Sequence, residues 1–237
     1  MRVIFSCAGL QSRWKGYMGY HKHLVPIDGQ PLLLRNILLF KRLFKDIQDI
    51  EICVSIPQDP DPKSGPYSVH DDIIFLPVSN PEGPAYKSLI PYYHGDTLIL
   101  LGDVLFTEDC ATKIAHAVVE YRESMPLVFG RKNASQITGC TWGELFAFYI
   151  VESGLPGWIN AVLSTERLYL DGKITRFSGW EIISYIYAQP AGGRLIESKM
   201  RKIFQTRNFP DSFIEINDET DDFDYPEDYD RYLKRRS

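Results

Sequence analysis

An aspartate follows an apolar run that is typical of a buried strand. Thr97–Leu101 has the sequence TLILL, and Gly102 and Asp103 come directly after it. A carboxylate at a strand end is a common ligand of Mg²⁺, which takes one or two carboxylates and completes its coordination with substrate phosphates. The alternative role is a helix N-cap, although Thr107 and Asp109 are better placed to cap the helix that follows. The spacing alone leaves both roles open for Asp103.

Two basic residues follow the first strand-like run. Arg2–Ser6 leads into the small residues Ala8 and Gly9, and Arg13 and Lys22 come after them. Backbone N–H groups, an arginine fork and a lysine point charge are together suited to a polyphosphate. The segment matches neither G-x-G-x-x-G nor G-x-x-x-x-G-K-[ST]. A strand-to-loop turn with solvated basic side chains is therefore the alternative.

The C-terminal region contains an acidic run with aromatic residues between the acids. Eight of the thirteen residues 218–230 are Asp or Glu, and phenylalanine and tyrosine separate them. A solvated charged face is the usual interpretation of such a run. The aromatic residues and the proline favour a packed segment instead. Asp224 would then be held just before a helix that begins at Pro226.

The first half of the sequence alternates strand-like and helix-like segments. The predicted strands are Arg2–Ser6, Glu51–Ser55, Ile73–Leu76, Thr97–Leu101 and Leu127–Gly130, and the predicted helices are Leu32–Phe44 and Cys110–Arg122. This alternation predicts βαβ units and a mainly parallel sheet. Ligands of such sheets bind beyond the carboxyl ends of the strands. Ser6–Arg13 and Gly102–Asp103 both have that position.

The second half is less regular. Glu144–Val151 and Phe213–Ile216 are predicted strands, and Glu181–Tyr187 and Pro226–Leu233 are predicted helices. Residues 155–173 contain glycine and proline, which predicts an inserted excursion. Residues 57–70 are rich in Pro, Asp, Ser and Gly, which predicts an exposed loop.

The composition fits one soluble globular domain. The chain has 237 residues, of which 44% are hydrophobic and 24% charged, and its net charge is −5. An acidic balance argues against general binding to nucleic acids or anionic membranes. No apolar run approaches the about 18 residues of a transmembrane helix, and no signal-peptide pattern is found. The four cysteines are far apart and form no CxxC pair, so we expect reduced thiols in a cytoplasmic protein.

Four stretches occur in an informative order along the chain. They are AG-x-x-x-R, then HKHLVPIDGQPLLLRNI, then PEGPAYKSLIPYY followed by LILLGDVLF, and finally DFDYPEDYDRYL. In this order they resemble the nucleotidyltransferase family of the GT-A fold, which comprises sugar-1-phosphate nucleotidylyltransferases and their cytidylyltransferase relatives. The resemblance implies a three-layer α/β/α Rossmann-like domain with a mixed, mainly parallel central sheet. Residues 1–130 would form its nucleotide-binding half and residues 131–237 its acceptor-binding half.

The resemblance also implies an activity and a set of site residues. The activity is Mg²⁺-dependent transfer of a nucleotidyl group from an NTP to a phosphorylated small molecule, with a sugar phosphate as the expected acceptor and pyrophosphate as the leaving group. Arg13 and Lys22 would be catalytic, and Asp103 and Asp224 would hold Mg²⁺. The implied nucleotide-binding residues are Ala8, Gly9, Gln11, Ser12, Glu82, Gly83 and Pro84. The implied acceptor-binding residues are Glu144 and Glu181.

The sequence departs from the family pattern at two places. Gln11 stands where the family usually has a second glycine, so its side chain would either crowd or bond the triphosphate. His21 and His23 flank Lys22, where the family commonly has a proline before the lysine. Two histidines alone are weak evidence for a metal site, and phosphate contact or plain solvent exposure is the expected role of the pair.

Two other functions are compatible with the same residues. A GT-A glycosyltransferase shares the nucleotide fold and a metal carboxylate, but it more often has Asp-x-Asp at the strand end, where Val104 and Leu105 follow Asp103 here. A nucleotide-binding or nucleotide-sugar-binding regulatory protein without catalysis would explain the altered loop. Retention of Lys22, Asp103 and Asp224 together argues against it.

Overall fold

The computed structural model describes residues 1–8, 13–57, 72–78, 85–135, 137–140, 143–188 and 211–236. Its strands are β1 (Arg2–Ser6), β2 (Pro26–Ile27), β3 (Gln30–Pro31), β4 (Glu51–Pro57), β5 (Ile74–Val78), β6 (Thr97–Leu101), β7 (Val104–Leu105), β8 (Leu127–Gly130), β9 (Leu145–Ile150), β10 (Phe213–Glu215) and β11 (Asp221–Asp222). Its helices are α1 (Leu32–Leu43), α2 (Ala85–Ser88), α3 (Glu108–Glu120), α4 (Leu155–Leu170), α5 (Gly179–Ala188) and α6 (Pro226–Arg236). The predicted loop at residues 57–70 lies outside the described residues, apart from Pro57.

A seven-stranded sheet with the order β10-β8-β9-β6-β1-β4-β5 forms the centre of the fold. Within it β9 runs antiparallel to both of its neighbours, and the other pairs are parallel. The chain passes from β1 to β4 and β5 on one side, and β6 then pairs with the other side of β1. This reversal creates a crevice beyond the carboxyl ends of β1 and β6, where open α/β sheets bind ligands. The predicted mixed, mainly parallel sheet is confirmed.

Helices cover both faces of the sheet because side chains alternate along each strand. Val3 and Phe5 of β1 point into an apolar cluster that α1 and α3 complete. Ile4 points into a second cluster on the opposite face, with α4 and α5. α1 contacts α3, and α4 contacts α5. The predicted three-layer α/β/α arrangement is therefore confirmed.

The prediction of an inserted excursion at residues 155–173 is wrong. Most of this segment forms α4, which has 16 residues and packs Trp158 and Val162 into the second apolar cluster. Pro156 lies in the first helical turn, where the missing N–H has no intrahelical partner to lose, so the proline starts the helix rather than breaking it. No helix of the described residues is long and apolar enough to span a membrane.

A short antiparallel ribbon joins the end of β6 to the acidic C-terminal run. Val104 of β7 pairs with Asp222 of β11, and the N–H of Phe223 donates to the carbonyl oxygen of Asp103 at 3.1 Å. Phe223 is fully buried in a third apolar cluster. That cluster also contains Trp14, Val25, Ile27, Leu32, Leu105, Ile137, Tyr229 and Tyr232. The aromatic residues thus pack the acidic run against the domain, as the sequence predicts.

Candidate active site

The end of β6 approaches the end of β1 closely because residue 102 has no side chain. A Cβ at Gly102 would collide with the Sγ of Cys7 and lie 2.9 Å from the carbonyl oxygen of Ser6. The N–H of Gly102 donates to that same oxygen at 3.0 Å. Glycine is therefore required here, and its close approach places Asp103 in the crevice between β1 and β6.

Four charged side chains meet in this crevice, and we call them the charge cluster: Arg13, Lys22, Asp103 and Asp224. The Nζ of Lys22 forms ion pairs with Oδ2 of Asp103 and, at 3.2 Å, with Oδ1 of Asp224. Nη1 of Arg13 donates to Oδ2 of Asp224. The guanidinium of Arg13 also lies over the ring of Tyr225, 5.4 Å from the ring centroid. The structure therefore brings together the four residues that the sequence assigns to catalysis and metal binding.

The charges of the cluster stabilise one another. Burial alone would lower the pKa of Lys22, but the attraction of Asp103 and Asp224 outweighs it and raises the pKa above its ordinary value. Lys22 is therefore fully protonated at neutral pH. Its side chain is 20% exposed and that of Asp103 is 19% exposed, so water screens this pair only weakly.

Local structure fixes Lys22 at the start of the 3₁₀ turn Lys22–Leu24. His23 and Leu24 are both buried and anchor the turn. Burial lowers the pKa of His23 to about 3, helped by the charges of His21 and Lys22, so His23 is neutral at pH 7. The expectation of solvent exposure is wrong for His23, because its ring is 2% exposed and stacks on His21 at 5.6 Å.

A cavity of about 250 Å³ opens beside the charge cluster. Its lining residues are Thr138, Gly139, Cys140, Glu144, Asp222, Asp224, Tyr225, Asp228 and Arg231. Glu144 reaches this edge because β9 runs antiparallel, which places the start of β9 next to the carboxyl end of β8. The N–H of Arg131 donates to the carbonyl oxygen of Glu144 at 2.7 Å and fixes this position. The wall of the cavity is rich in carboxylates.

Two carboxylates of the cavity hold protons more tightly than usual. Burial, together with the charges of Asp224 and Asp221, raises the pKa of Glu144 to about 7, although the Sγ of Cys140 donates to its carboxylate at 3.3 Å. Burial and the neighbouring carboxylates, Glu144 first among them, raise the pKa of Asp222. Both carboxyl groups therefore stay protonated to a higher pH than an exposed carboxyl group would.

Sequence reasoning missed Asp222 as a site residue. Asp222 and Asp224 flank Phe223 in an extended segment, and both line the cavity, whereas Phe223 is fully buried in the core. Alternation of this kind follows from the two-residue period of a strand. The pattern Asp-Phe-Asp was therefore the signal that could have identified Asp222.

One wall of the cavity is held by a set of contacts that we call the Asp221 network. The carboxylate of Asp221 accepts hydrogen bonds from Nη2 of Arg131 at 2.8 Å, from the backbone N–H of Thr138 at 3.2 Å and from its hydroxyl at 3.0 Å. The hydroxyl of Ser135 donates to the same carboxylate. These contacts tie the segment after β8 to β11, so Thr138 is fixed at the cavity edge.

Other predicted site residues have different positions. Glu181 is buried at the start of α5, where its carboxylate accepts a hydrogen bond from the N–H of Ser178 at 3.0 Å, a helix-capping contact. Its contact with an acceptor stays a prediction. Ala8 is buried just after β1, beside Cys7, whose N–H donates to the hydroxyl of Ser55 at 3.0 Å. The predicted nucleotide-binding residues Gly9, Gln11, Ser12, Glu82, Gly83 and Pro84 lie outside the described residues.

The donor set of the charge cluster fits a hard divalent cation. Asp103 and Asp224 already share one cation, the ammonium of Lys22, so their oxygens converge on one point. Carboxylate oxygens are the protein ligands that Mg²⁺ prefers, and phosphates supply others. Within the described residues, no three His, Cys, Asp or Glu side chains are grouped as a metal site by themselves.

No family model and no curated protein matches the sequence. Solved structures do share the fold. UDP-glucose pyrophosphorylase in complex with UDP-glucose is 10% identical with a TM-score of 0.55, over 99% of this chain and 98% of that chain. The inositol-1-phosphate CTP transferase from T. maritima is 12% identical with a TM-score of 0.52, over 100% and 96%. The CTP:phosphocholine cytidylyltransferase from Streptococcus pneumoniae is 11% identical with a TM-score of 0.51, over 100% and 98%. At these identities the likeness shows the fold, which is the one that the resemblance implies.

Proposed function

We propose that this protein transfers a nucleotidyl group from an NTP to a phosphorylated small molecule, with a sugar phosphate as the expected acceptor and pyrophosphate as the second product. The observation that carries the proposal is the charge cluster at the crevice between β1 and β6, directly beside an open cavity. The names of the structural neighbours support it, because they describe a pyrophosphorylase and two enzymes that transfer nucleotides from CTP. The four free cysteines suit a cytoplasmic protein.

The cluster residues supply what this reaction needs. An oxygen of the acceptor phosphate attacks the α-phosphorus of the NTP in line, and the bond from that phosphorus to the pyrophosphate oxygen breaks. Arg13 and Lys22 would hold the triphosphate. Their positive charge would offset the repulsion between the triphosphate and the acceptor phosphate. The protein forms no covalent intermediate in this scheme. The protein contributes by positioning the two reactants and by offsetting their negative charge.

Mg²⁺ is part of the proposal. Asp103 and Asp224 would hold it, and when bound it would neutralise charge on the phosphate oxygens. Lys22 lies between the same two carboxylates. The ammonium of Lys22 is therefore positioned to contact any phosphate that the two carboxylates hold through a metal.

The acceptor would bind in the cavity beside Asp224. The cavity wall comes from residues 138–144 and 222–231, all in the C-terminal half, whereas Arg13 and Lys22 belong to the N-terminal half. This supports the division into a nucleotide-binding half, residues 1–130, and an acceptor-binding half, residues 131–237. With a pKa of about 7, Glu144 can either donate a hydrogen bond to a hydroxyl of the phosphorylated small molecule or accept one from it near neutral pH.

The test is a screen of the native protein with each NTP, Mg²⁺ and a panel of phosphorylated sugars and alcohols. We expect pyrophosphate release that needs one NTP and one acceptor together, and a product whose mass is their sum less pyrophosphate. EDTA should abolish it. Binding of an NTP without pyrophosphate release from any acceptor would favour a regulatory protein. Release of a nucleoside diphosphate from a nucleotide sugar would favour a glycosyltransferase.

A further inference from the structure

Both oxygens of the Asp224 carboxylate are already engaged by cations. Oδ2 accepts from Arg13, and Oδ1 lies 3.2 Å from the Nζ of Lys22. Lys22 also pairs with Asp103. The two cations of the proposed phosphate site are thus the partners of the two carboxylates of the proposed metal site. Any ligand of one pair must first separate it from the other.

The charges make each ligand unfavourable alone. A metal that takes Asp224 from Arg13 and Lys22 places a divalent ion beside two cations that have lost a carboxylate partner and have no phosphate to replace it. A triphosphate that takes Arg13 and Lys22 leaves Asp103 and Asp224 unpaired in a half-buried crevice, and it adds negative charge next to them. Taking one partner away from a partly buried ion pair costs free energy, because the remaining charge loses its counter-charge, and the cost is smallest for the exposed Arg13.

The two ligands together remove this conflict. The carboxylates exchange the two cations for the metal, and the cations exchange the carboxylates for phosphate oxygens. Every group keeps a partner of opposite charge throughout the cluster. Arg13 is the side chain best able to move, because it is 58% exposed and is held by Asp224 and by the ring of Tyr225. Lys22 is fixed in its turn.

We propose that Asp224 is a partner-exchange residue, which binds the metal more tightly once a triphosphate takes Arg13 and Lys22, so that metal and triphosphate bind cooperatively. The inference rests on the proposed function, because it takes a triphosphate to be the ligand of the two cations. It adds a property that the reaction does not require, namely that the cluster binds metal more weakly without nucleotide and nucleotide more weakly without metal.

The first test measures Mn²⁺ alone, without any phosphate, by the loss of the free-ion EPR signal. Arg13→Gln removes one partner of Asp224, so we expect this variant to bind Mn²⁺ at least about threefold more tightly than the native protein. A gain of this size corresponds to the free energy of one exposed ion pair, which the metal no longer has to break. Arg42→Gln is the matched control, because Arg42 forms a comparable exposed pair with Glu108 on the surface. Equal Mn²⁺ affinity in the native protein and Arg13→Gln would overturn the proposal.

The second test is the reciprocal one, and it measures the binding of inorganic tripolyphosphate in the presence of EDTA. Tripolyphosphate has no nucleobase, so the result does not depend on which NTP the protein prefers. Asp224→Asn removes the carboxylate partner of Arg13 and one of the two carboxylate partners of Lys22, so we expect it to bind tripolyphosphate more tightly than the native protein. Asp222→Asn makes the same charge change two residues away, at a cavity-lining carboxylate whose attraction for Lys22 is weaker than that of Asp224. An equal gain in both variants would show a general charge effect and overturn the exchange.

The outcomes separate this inference from the proposed function. If NTP and Mn²⁺ bind together but Mn²⁺ alone binds the native protein as well as Arg13→Gln, partner exchange is wrong and the proposed function stands. If neither tripolyphosphate nor any NTP binds with or without metal, both fail. Tighter Mn²⁺ binding by Arg13→Gln together with tighter tripolyphosphate binding by Asp224→Asn supports both.

Discussion

The Asp221 network and the charge cluster contain aspartates only three residues apart, Asp221 and Asp224, yet the contacts of these two aspartates differ in kind. In the network one carboxylate is 1% exposed and accepts five hydrogen bonds, four from the segment that follows β8 and one from the N–H of Asp222. In the charge cluster two carboxylates share two cations, and the side chains are between 19% and 58% exposed. The carboxylate of the Asp221 network is saturated with hydrogen bonds from the protein, whereas the charge cluster has contacts that a ligand can replace.

The difference separates a structural role from a functional one more sharply than residue type does. Both regions contain aspartate paired with arginine. A saturated, buried pair can only lose contacts when it is disturbed, so it fixes the backbone. A shared, partly exposed pair can change partners without leaving a charge unpaired. The comparison therefore predicts that mutations in the network alter stability, whereas mutations in the charge cluster alter activity.

The largest expected effect lies in the network. Asp221→Asn keeps the shape of the side chain but places an NH₂ group against donors and leaves Arg131 buried without its anion. We expect the free energy of unfolding to fall by about 3–5 kcal/mol, as for other broken buried pairs. Urea unfolding followed by circular dichroism measures it. A loss below about 1 kcal/mol would show that the network is not saturated as described.

The next effect lies in the charge cluster. Lys22→Met should lower turnover by at least about 10²-fold, because one strong charge stabiliser of the transferred phosphate is lost, and Asp103→Ala should do the same. Lys41→Met is the control, since Lys41 has a similar exposure of 24% and pairs with Asp72 away from the site. The measurement is the rate of pyrophosphate release. Near-normal rates in Lys22→Met and Asp103→Ala would contradict the site assignment.

The sequence predicts much of the frame of this site. Strand ends after apolar runs located Asp103, and the order of strands and helices predicted a mainly parallel sheet with the loops after β1 and β6 beyond the carboxyl ends of its strands. The prediction worked because both depend on local patterns, namely apolar runs and the turn residues that end them. The N-cap of α3 is a further example, since Thr107 accepts from the N–H of Cys110 at 3.0 Å as expected.

The acceptor side could not be predicted in the same way. Glu144 reaches the cavity because β9 is antiparallel, and nothing in the sequence of a buried strand reveals its direction. Arg231 and Thr138 reach it through the packing of α6 and through the Asp221 network, which are contacts between residues 83 to 93 positions apart. α4 was missed because the glycine and proline residues of this segment suggested an inserted excursion.

A smaller effect concerns the pH dependence of stability. Burial raises the pKa of Glu144 from 4.5 to about 7, so the folded state holds this proton where the unfolded state has lost it. Between these values stability falls as pH rises, and the loss is complete above pH 7. Glu144→Gln removes the loss, so we expect it to be more stable than the native protein at pH 8 by on the order of 1 kcal/mol and to differ little at pH 4. Parallel pH profiles of the two proteins would contradict this.

The smallest effect tests the comparison at adjacent residues. Asp222→Asn is the same substitution as Asp221→Asn, one position along the chain, but the Asp222 carboxylate lines the cavity and neighbouring carboxylates raise its pKa. Its charge is unfavourable in the folded state above its unfolded pKa, so removal should raise the free energy of unfolding at pH 8, by less than about 1 kcal/mol because the residue is partly exposed to water.

Urea unfolding of both variants at pH 8 decides the matter. If the free energy of unfolding falls in Asp221→Asn and rises in Asp222→Asn, the contacts of each aspartate, and not the acidic character of the run, determine its role. If Asp222→Asn destabilises the protein as strongly as Asp221→Asn, its carboxylate has a structural partner, and the distinction between a saturated network and an open site fails at this position.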